Sequence, residues 1–186
     1  MRKNFGAKAW LFPQPVLIIS TYGEDGVPDA MNAAWGGISD ETQITICLGN
    51  DHKTVKNLLK TKAFAVHTAN IEQAVACDYV GMESGNDVPN KFEKAGFHAV
   101  KSEFVNAPII EELPMALECK VISYDDKTCR LVGEIVNVTV KEEVLDANGN
   151  IDPVKLQPIV LDPVNGSYLS LGDKVANAFS DGMKLK

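Results

Sequence analysis

The sequence predicts a mainly β fold, a β-barrel with helical insertions, as one domain that spans residues 1–186. Apolar and polar residues alternate over Met115–Tyr124, as in a half-buried strand. Cys129–Lys141 is a longer strand candidate with apolar residues on both faces, interrupted at Gly133 and Glu134. That pattern suits a curved barrel strand that is partly covered on its outside. Helical patterns are few and short, so helices are expected only as insertions.

The strands follow one another along the chain with turn signals between them. Before residue 100 they are, in order, Pro15–Gly23, an extended segment around Asp29–Ile38, Gln43–Leu48 and Ala63–Thr68. The triplet Glu24-Asp25-Gly26 predicts the turn after the first strand. We expect Met115–Tyr124 to pair with Cys129–Lys141 across a turn at Asp125–Thr128.

The clearest helix is Asp51–Thr61, where Val55, Leu58 and Leu59 share one face. Asn50 or Asp51 is the expected N-cap. Shorter helices are predicted over Ile71–Val80, Pro89–Lys94 and Asp152–Leu156.

Composition narrows the class of protein. The net charge of −7 argues against nucleic acid or an anionic membrane as the main partner. No apolar run is long enough to cross a bilayer, and the N-terminus lacks the apolar core of a signal peptide. These features predict a cytoplasmic protein. The four cysteines contain no CxxC pair and are expected to be reduced and mostly buried.

Common catalytic motifs are missing from the sequence. It has no GxGxxG, no GxxxxGK[ST] and no GxSxG, and the three histidines lack the spacing of metal ligands. No catalytic side chain and no metal site are therefore predicted. If the protein is an enzyme, a bound cofactor is expected to carry the reaction.

The segment Ile46–Thr54 is the first candidate binding site, because it leaves an apolar strand and opens a helix. Free amides and the dipole at a helix N-terminus attract anions. Gly49 permits close approach, and His52, Lys53 and Thr54 offer polar groups to a phosphate. The alternative is a capped helix with a solvated first turn.

Two further segments are candidates. In Met31–Gly37, small residues beside Asn32 and Trp35 suit a strand edge that a flat ring approaches. The alternative is a strand with a bulge at Gly36-Gly37 and Trp35 in the core. Met82–Phe92 is a polar loop that runs into a helix, which is typical of binding loops but equally of ordinary loops.

Several short sequence segments, spread over nearly the whole chain, occur in an order that is typical of a known protein family. These pieces are Pro15–Thr21, Asp25-Gly26, Met31–Trp35, His52–Leu58, Ser84–Asp87, Lys91–Gly96, Leu117–Cys119, Gly133–Val136, Val144–Asp146 and Tyr168–Gly172. In this order they resemble the flavin reductase-like family with the FMN-binding split barrel, particularly its flavoredoxin branch. The resemblance implies a Greek-key-like barrel and a homodimer with FMN near the subunit interface.

The resemblance also implies a set of cofactor-binding residues. The isoalloxazine ring would lie against Asn32, Ala33, Ala34 and Trp35. The ribityl phosphate would be held by Leu48, Gly49, His52, Lys53 and Thr54. The pocket would be closed by Ser84, Gly85, Lys91 and Phe92, and His67 and Thr68 would also be within reach of the flavin.

The implied function is electron transfer. NAD(P)H or a protein donor would reduce bound FMN, which would pass electrons to a flavin, a redox protein or a small-molecule acceptor. Because the same split barrel serves pyridoxamine phosphate oxidases, a flavin oxidase of that type is one alternative. A non-catalytic module that binds FMN or carries electrons is another.

Overall fold

A computed structural model describes all 186 residues. The strands are β1 Gln14–Pro15, β2 Leu17–Tyr22, β3 Pro28–Ala33, β4 Gly36–Asp40, β5 Gln43–Cys47, β6 Ala63–Thr68, β7 Ala99–Lys101, β8 Pro108–Ile110, β9 Met115–Asp125, β10 Arg130–Val140, β11 Ile159–Asp162 and β12 Ser167–Ser170. The helices are α1 Lys53–Thr61, α2 Ala74–Met82, α3 Lys91–Lys94 and α4 Pro153–Leu156, with 3₁₀ turns at Glu142–Val144 and Asp181–Leu185.

The central element is a seven-stranded sheet in the order β3-β2-β6-β9-β10-β5-β4. All of its strand pairs are antiparallel. Its two edge strands, β3 and β4, are consecutive in the chain and separated only by Ala34 and Trp35, so the sheet must curl back towards itself. Two small sheets, β1-β11-β12 and β7-β8, complete the fold. The prediction of a mainly β barrel with helical insertions is confirmed.

Strand β10 supplies much of the curvature. Its pairing with β9 shifts register after Val132 and again after Ile135, and each such irregularity bends a strand. Gly133 lies at the first shift, where an added Cβ would collide with the ring of the fully buried Phe64. A glycine is therefore needed for the barrel wall to close on that ring.

The alternation of side chains divides the apolar core into two clusters. The barrel interior contains Ile19, Met31, Ala33, Ile44, Ile46, Leu48, Val55, Leu58, Phe64, Val66, Cys119 and Leu131. The outer cluster contains Val16, Ile18, Ala30, Ala69, Cys77, Val80, Phe92, Phe97, Ile110, Leu113 and Ile159. Neighbours such as Ile18 and Ile19 belong to different clusters, because successive side chains of a strand point to opposite faces. The barrel is thus packed inside by α1 and outside by α2 and α3.

Several predicted elements match the structure and others need correction. The strand at Ala63–Thr68, the pairing of β9 with β10 and the turn at Glu24–Gly26 are confirmed. The extended segment Asp29–Ile38 is instead two strands, β3 and β4. The chain leaves the sheet edge at Ala34-Trp35 to cross from one side of the barrel to the other.

Two expectations about side chains were wrong. The N-cap of α1 is His52 rather than Asn50 or Asp51, and the Asp51 carboxylate points into solvent. All four cysteines are free, but only Cys77 and Cys119 are buried. Cys47 is exposed because it follows the inward-facing Ile46 and so lies on the outer face of β5.

Four short strands, β7, β8, β11 and β12, were not predicted, because three or four residues are too few to display an alternation. None of the helices combines the length and apolar character that a membrane span requires.

Candidate functional site

The three candidate segments meet in one pocket beside the start of α1, which we call the α1 pocket. Its lining consists of Met31, Asn32, His52, Lys53, Thr54, Val80, Gly81, Glu83, Ser84, Gly85 and Lys91. The pocket holds about 50 Å³. It shares Lys53 and Gly85 with a neighbouring depression of about 290 Å³, which Asp29 and Asn86 also line. Residues far apart in the chain therefore surround one polar surface.

The N-terminus of α1 has no side-chain cap. His52 adopts an extended conformation at the N-cap position, its side chain makes no capping hydrogen bond, and the first turn contains no acidic residue. The amides of that turn therefore keep their attraction for an anion. The alternative of a capped helix start is wrong for this chain.

The inner wall of the pocket is built around the carboxylate of Asp29, which is 5 % exposed. The Thr54 hydroxyl donates to Asp29 Oδ2 at 2.6 Å, and the Lys91 ammonium lies 3.6 Å from Oδ1. Lys91 Nζ also donates to the carbonyls of Val80 at 3.1 Å and Glu83 at 2.9 Å. Burial lowers the pKa of Lys91, and the charge of Asp29 opposes that shift. These polar groups are satisfied within the protein.

The rim of the pocket differs, because its polar groups are not all satisfied. Lys53 is half-buried and makes no hydrogen bond or ion pair with another side chain. Ser84 Oγ accepts hydrogen bonds from the backbone and side-chain nitrogens of Asn86, both at 3.2 Å, so its own proton remains to be donated. His52 is half exposed and lies 3.9 Å from Asp51. The rim can therefore offer several donors to a ligand.

Asn86 ties the Ser84 loop to α1. Its side-chain nitrogen donates to the backbone carbonyl of Asp51 at 3.1 Å, and its side-chain oxygen accepts from Lys56 Nζ at 2.9 Å. The glycine before it, Gly85, packs directly on Asp29, so that an added Cβ would collide with the carboxylate. The loop is thus fixed against both the rim and the inner wall.

The back of the pocket is formed where β3 meets α2. Asn32 Nδ2 donates to the carbonyl of Cys77 at 3.1 Å and to the Tyr168 hydroxyl at 3.2 Å. Tyr168 in turn donates to Asp78 Oδ1 at 2.7 Å. Burial, reinforced by the bond to Asp78, raises the pKa of Tyr168 to about 12. Asn32 is therefore held by groups from two other elements.

Other predicted site residues lie outside the α1 pocket. Leu48 and Ala33 are part of the barrel interior, and Phe92 packs edge-on against Phe97 in the outer cluster. Gly49 is half-buried in the turn between β5 and α1, where an added Cβ would come within 2.9 Å of His52 Cδ2. Ala33 and Leu48 therefore pack in the barrel interior and are not part of the pocket surface.

The structure does not bring His67 and Thr68 to the pocket. His67 is fully buried, its Nε2 accepts from the backbone N–H of Ile110 at 2.9 Å, and its Nδ1 donates to the carbonyl of Ile18 at 3.2 Å. Burial lowers the pKa of His67 to about 4. Thr68, the next residue, is half-buried at the end of β6. His67 is thus a neutral side chain that joins β2, β6 and β8.

Trp35 lies in a different surface depression. Its side chain is 61 % exposed, so the alternative that places it in the core is wrong. It lines a cavity of about 300 Å³ together with the N-terminal segment Lys8–Leu11 and Gln14. Ala34, beside it, is half-buried at the break between β3 and β4. The register of β4 shifts after Ile38 rather than at Gly36-Gly37.

Sequence reasoning missed Asp29, Asp78, Asn86 and Tyr168 as parts of the site. A signal existed for Asp29, since it alternates with Met31 and Ala33, which face the barrel interior. An acidic residue at an inward-facing position requires a partner. The three histidines and the carboxylates form no group of three or more side chains that could hold a metal ion.

Comparisons with known proteins identify the family and the fold of the chain. The sequence model of the flavin reductase like domain matches residues 9–156. The fold superimposes on the flavoredoxin of Desulfovibrio vulgaris (Miyazaki F) with a TM-score of 0.93 and 34 % identity, covering 98 % of this chain and 100 % of the other. Flavoredoxin from Methanosarcina acetivorans gives a TM-score of 0.89 at 22 % identity, with 100 % of both chains covered, a likeness of fold alone. An uncharacterized protein of Aquifex aeolicus (strain VF5) is 33 % identical over an alignment of 156 residues, and the match covers 79 % of each chain.

Proposed function

The chain belongs to the flavin reductase-like family, and from that premise we propose that it is an FMN-binding oxidoreductase of the flavin reductase or flavoredoxin type. The split-barrel fold that the resemblance implied is confirmed by the match to the Desulfovibrio protein. The proposal depends above all on the α1 pocket, where an uncapped helix start lies beside the unpaired ammonium of Lys53. That combination fits a phosphate group.

The residues of the pocket suit FMN in their chemistry. The first-turn amides of α1, Lys53 and the Ser84 hydroxyl would hold the phosphate, because all of them are donors without a protein acceptor. Asn32, which lines the same pocket, would lie against the ring, together with the Ala34-Trp35 link between β3 and β4. Bound FMN would supply reversible acceptance of a hydride or of electrons, and the protein would orient the ring and limit access of water.

We propose further that electrons come from NADH, NADPH or a protein donor and leave to a flavin, a redox protein or a small acceptor. The match with the Desulfovibrio flavoredoxin covers both chains almost completely. That similarity favours a flavoredoxin-like electron carrier as the second candidate, in which a protein rather than a nicotinamide reduces the flavin.

A homodimer is also proposed. The N-terminal residues 1–13 and the C-terminal residues 171–186 form two arms that bury almost none of their apolar side chains. Val175, Phe179 and Leu185 are almost fully exposed, and Trp35 on the barrel is mostly exposed as well. Exposed apolar surface on this scale marks an interaction site, and a second copy of the chain would cover it. Analytical ultracentrifugation should give twice the chain mass of 20.2 kDa; a monomer would contradict the dimer.

The direct test of function is spectroscopic. The purified protein, or the protein after addition of FMN, should show the flavin absorption bands, and NADH or NADPH should bleach them. Steady-state oxidation of either nucleotide with added FMN would establish the reductase. Bleaching only by a reduced protein donor would identify the carrier instead. A protein that stays colourless and takes up no added FMN would refute the proposed function.

A further inference from the structure

The hydrogen bonds of Asn32 fix the orientation of its side-chain amide. The carbonyl of Cys77 can only accept, so the amide atom 3.1 Å from it must be the nitrogen. The same nitrogen is 3.2 Å from the Tyr168 hydroxyl, which must accept because it already donates to the carboxylate of Asp78. Both amide protons are thereby committed to the protein.

The Asn32 side-chain oxygen, in contrast, has no hydrogen-bond partner within the protein. No protein donor bonds to Oδ1, and no buried side-chain oxygen or nitrogen in the protein is without a hydrogen bond. Oδ1 must therefore be accessible to solvent. Asn32 lines the α1 pocket, which also contains Lys53 and Ser84. The pocket thus contains an oriented acceptor at its back and donors at its rim.

We propose that Asp78 and Tyr168 are positioning residues that hold Asn32 so that its Oδ1 accepts a hydrogen bond from an N–H or O–H group of the bound flavin. The inference rests on the proposed function. The donor belongs either to the ring or to the ribityl chain, and both present the same chemistry to an amide oxygen.

Asp78, Tyr168 and Asn32 form a chain of hydrogen bonds, which we call the relay, and its order explains why all three residues are needed. An asparagine amide that is held only by packing can turn over and present its NH₂ group instead of its oxygen. Asp78 accepts the hydrogen bond that the Tyr168 hydroxyl donates, so the phenol oxygen can only accept a further bond, and the amide nitrogen of Asn32 is the group that supplies it. Because burial and the bond to Asp78 raise the pKa of Tyr168 to about 12, the hydroxyl keeps its proton at neutral pH.

Packing limits the remaining freedom of Asn32. An added Cβ at Gly81 of α2 would lie 2.7 Å from the Cβ of Asn32, closer than such atoms approach. The helix backbone therefore lies directly against the base of this side chain. With Tyr168 arriving from β12, the amide is held by two elements other than its own strand.

The test is a double-mutant cycle on flavin affinity. Tyr168→Phe removes the phenol oxygen with little change of shape, Asn32→Ala removes the acceptor, and the double variant combines them. Tyr22→Phe is the matched control, because the Tyr22 hydroxyl makes no hydrogen bond and lies outside the α1 pocket. Dissociation constants for FMN, riboflavin and lumiflavin are measured by fluorescence titration, with thermal unfolding of each variant recorded alongside.

We expect Tyr168→Phe to weaken FMN and riboflavin by the same factor, on the order of tenfold, as the loss of one oriented hydrogen bond requires. In the Asn32→Ala background the same change should cost little, and Tyr22→Phe should have no effect. A loss that persists with lumiflavin assigns the donor to the ring, and a loss absent with lumiflavin assigns it to the ribityl chain. Asp78→Asn, a milder variant, should give a smaller loss in the same direction.

Two results would overturn the relay. One is unchanged flavin affinity in both Tyr168→Phe and Asp78→Asn. The other is an equal loss of flavin affinity from Tyr168→Phe in the unaltered chain and in Asn32→Ala, which would mean that the tyrosine does not act through Asn32. Absence of flavin binding by the unaltered chain would instead refute the proposed function and the relay together. The two failures are therefore distinguishable.

Discussion

Lys91 and Lys53 both line the α1 pocket, yet the protein uses them in different ways. Lys91 is 3 % exposed, and its ammonium is shared among the Asp29 carboxylate and two backbone carbonyls. Lys53 is half-buried and has no polar partner. Both lysines were predicted to bind the cofactor, but only one of them is left free to do so by the fold.

The difference between the two lysines shows that the inner wall of the pocket and its rim have separate roles. A buried ammonium is tolerated only when it is paired and hydrogen-bonded, so Lys91 is committed to holding β3, α2 and α3 together. An ammonium at the rim remains hydrated and can exchange water for a ligand. The inner wall therefore determines the shape of the pocket, and the rim determines what the pocket can bind. The predictions that follow test this division.

The largest effect is expected from Lys91→Ala. The substitution leaves the carboxylate of Asp29 buried with only Thr54 as a donor, and breaking a buried pair from one side costs about 3–5 kcal/mol. Urea unfolding should record that loss in the free energy of unfolding. Lys94→Ala, an exposed lysine on the same helix, is the control and should change stability by less than about 0.5 kcal/mol.

The double variant Asp29→Asn with Lys91→Met sharpens the same test, since it removes both charges together. It should be more stable than Lys91→Ala, because no unpaired charge remains buried. If the Lys91→Ala protein kept normal stability but bound flavin more weakly, Lys91 would be a ligand-binding residue rather than a structural part of the inner wall.

A pH-dependent loss of stability is expected from His67. Burial lowers its pKa to about 4, whereas in the unfolded chain its pKa is near the ordinary value of 6.5 for histidine. Between these values the unfolded state binds a proton and the folded state does not, so stability falls as the pH falls from 6.5 towards 4. The full loss is about 3 kcal/mol for His67 alone.

Unfolding free energies measured across this pH range should show that slope, and His67→Gln should remove it. His52→Gln is the control, because His52 is half exposed at the rim. A slope that survives in His67→Gln would show that other groups cause the acid sensitivity.

At the rim, Lys53→Ala should weaken FMN by about tenfold to a hundredfold, the value of one charge-assisted contact. Riboflavin, which has no phosphate, should bind as before, and stability should change by less than about 0.5 kcal/mol. Lys60→Ala on the same helix, whose ammonium pairs with Glu24, should change neither affinity. An equal loss for FMN and riboflavin would place the phosphate elsewhere.

The sequence predicted the barrel and the three segments of the site, because both depend on local patterns. The alternation in β9 and the strand-to-helix passage at Leu48–Lys53 are visible in a few consecutive residues. The sequence could not show that Thr54 donates to Asp29, 25 residues away in the chain. Which polar residues are satisfied internally depends on such distant partners, and for the same reason His67 was expected near the flavin although both its nitrogens are bound.

The smallest effect is expected from Asn86→Ala, which tests the connection between rim and helix. Its side chain bonds to Asp51 O and to Lys56 Nζ and so holds the Ser84 hydroxyl beside the start of α1. Because these bonds are exposed, their loss should lower stability by no more than about 1 kcal/mol. FMN should weaken less than in Lys53→Ala, since the loop is loosened while every charge remains. Asn90→Ala, an exposed asparagine before α3, is the control. A loss for FMN as large as that of Lys53→Ala would mean that the loop, rather than the lysine, sets the affinity of the rim.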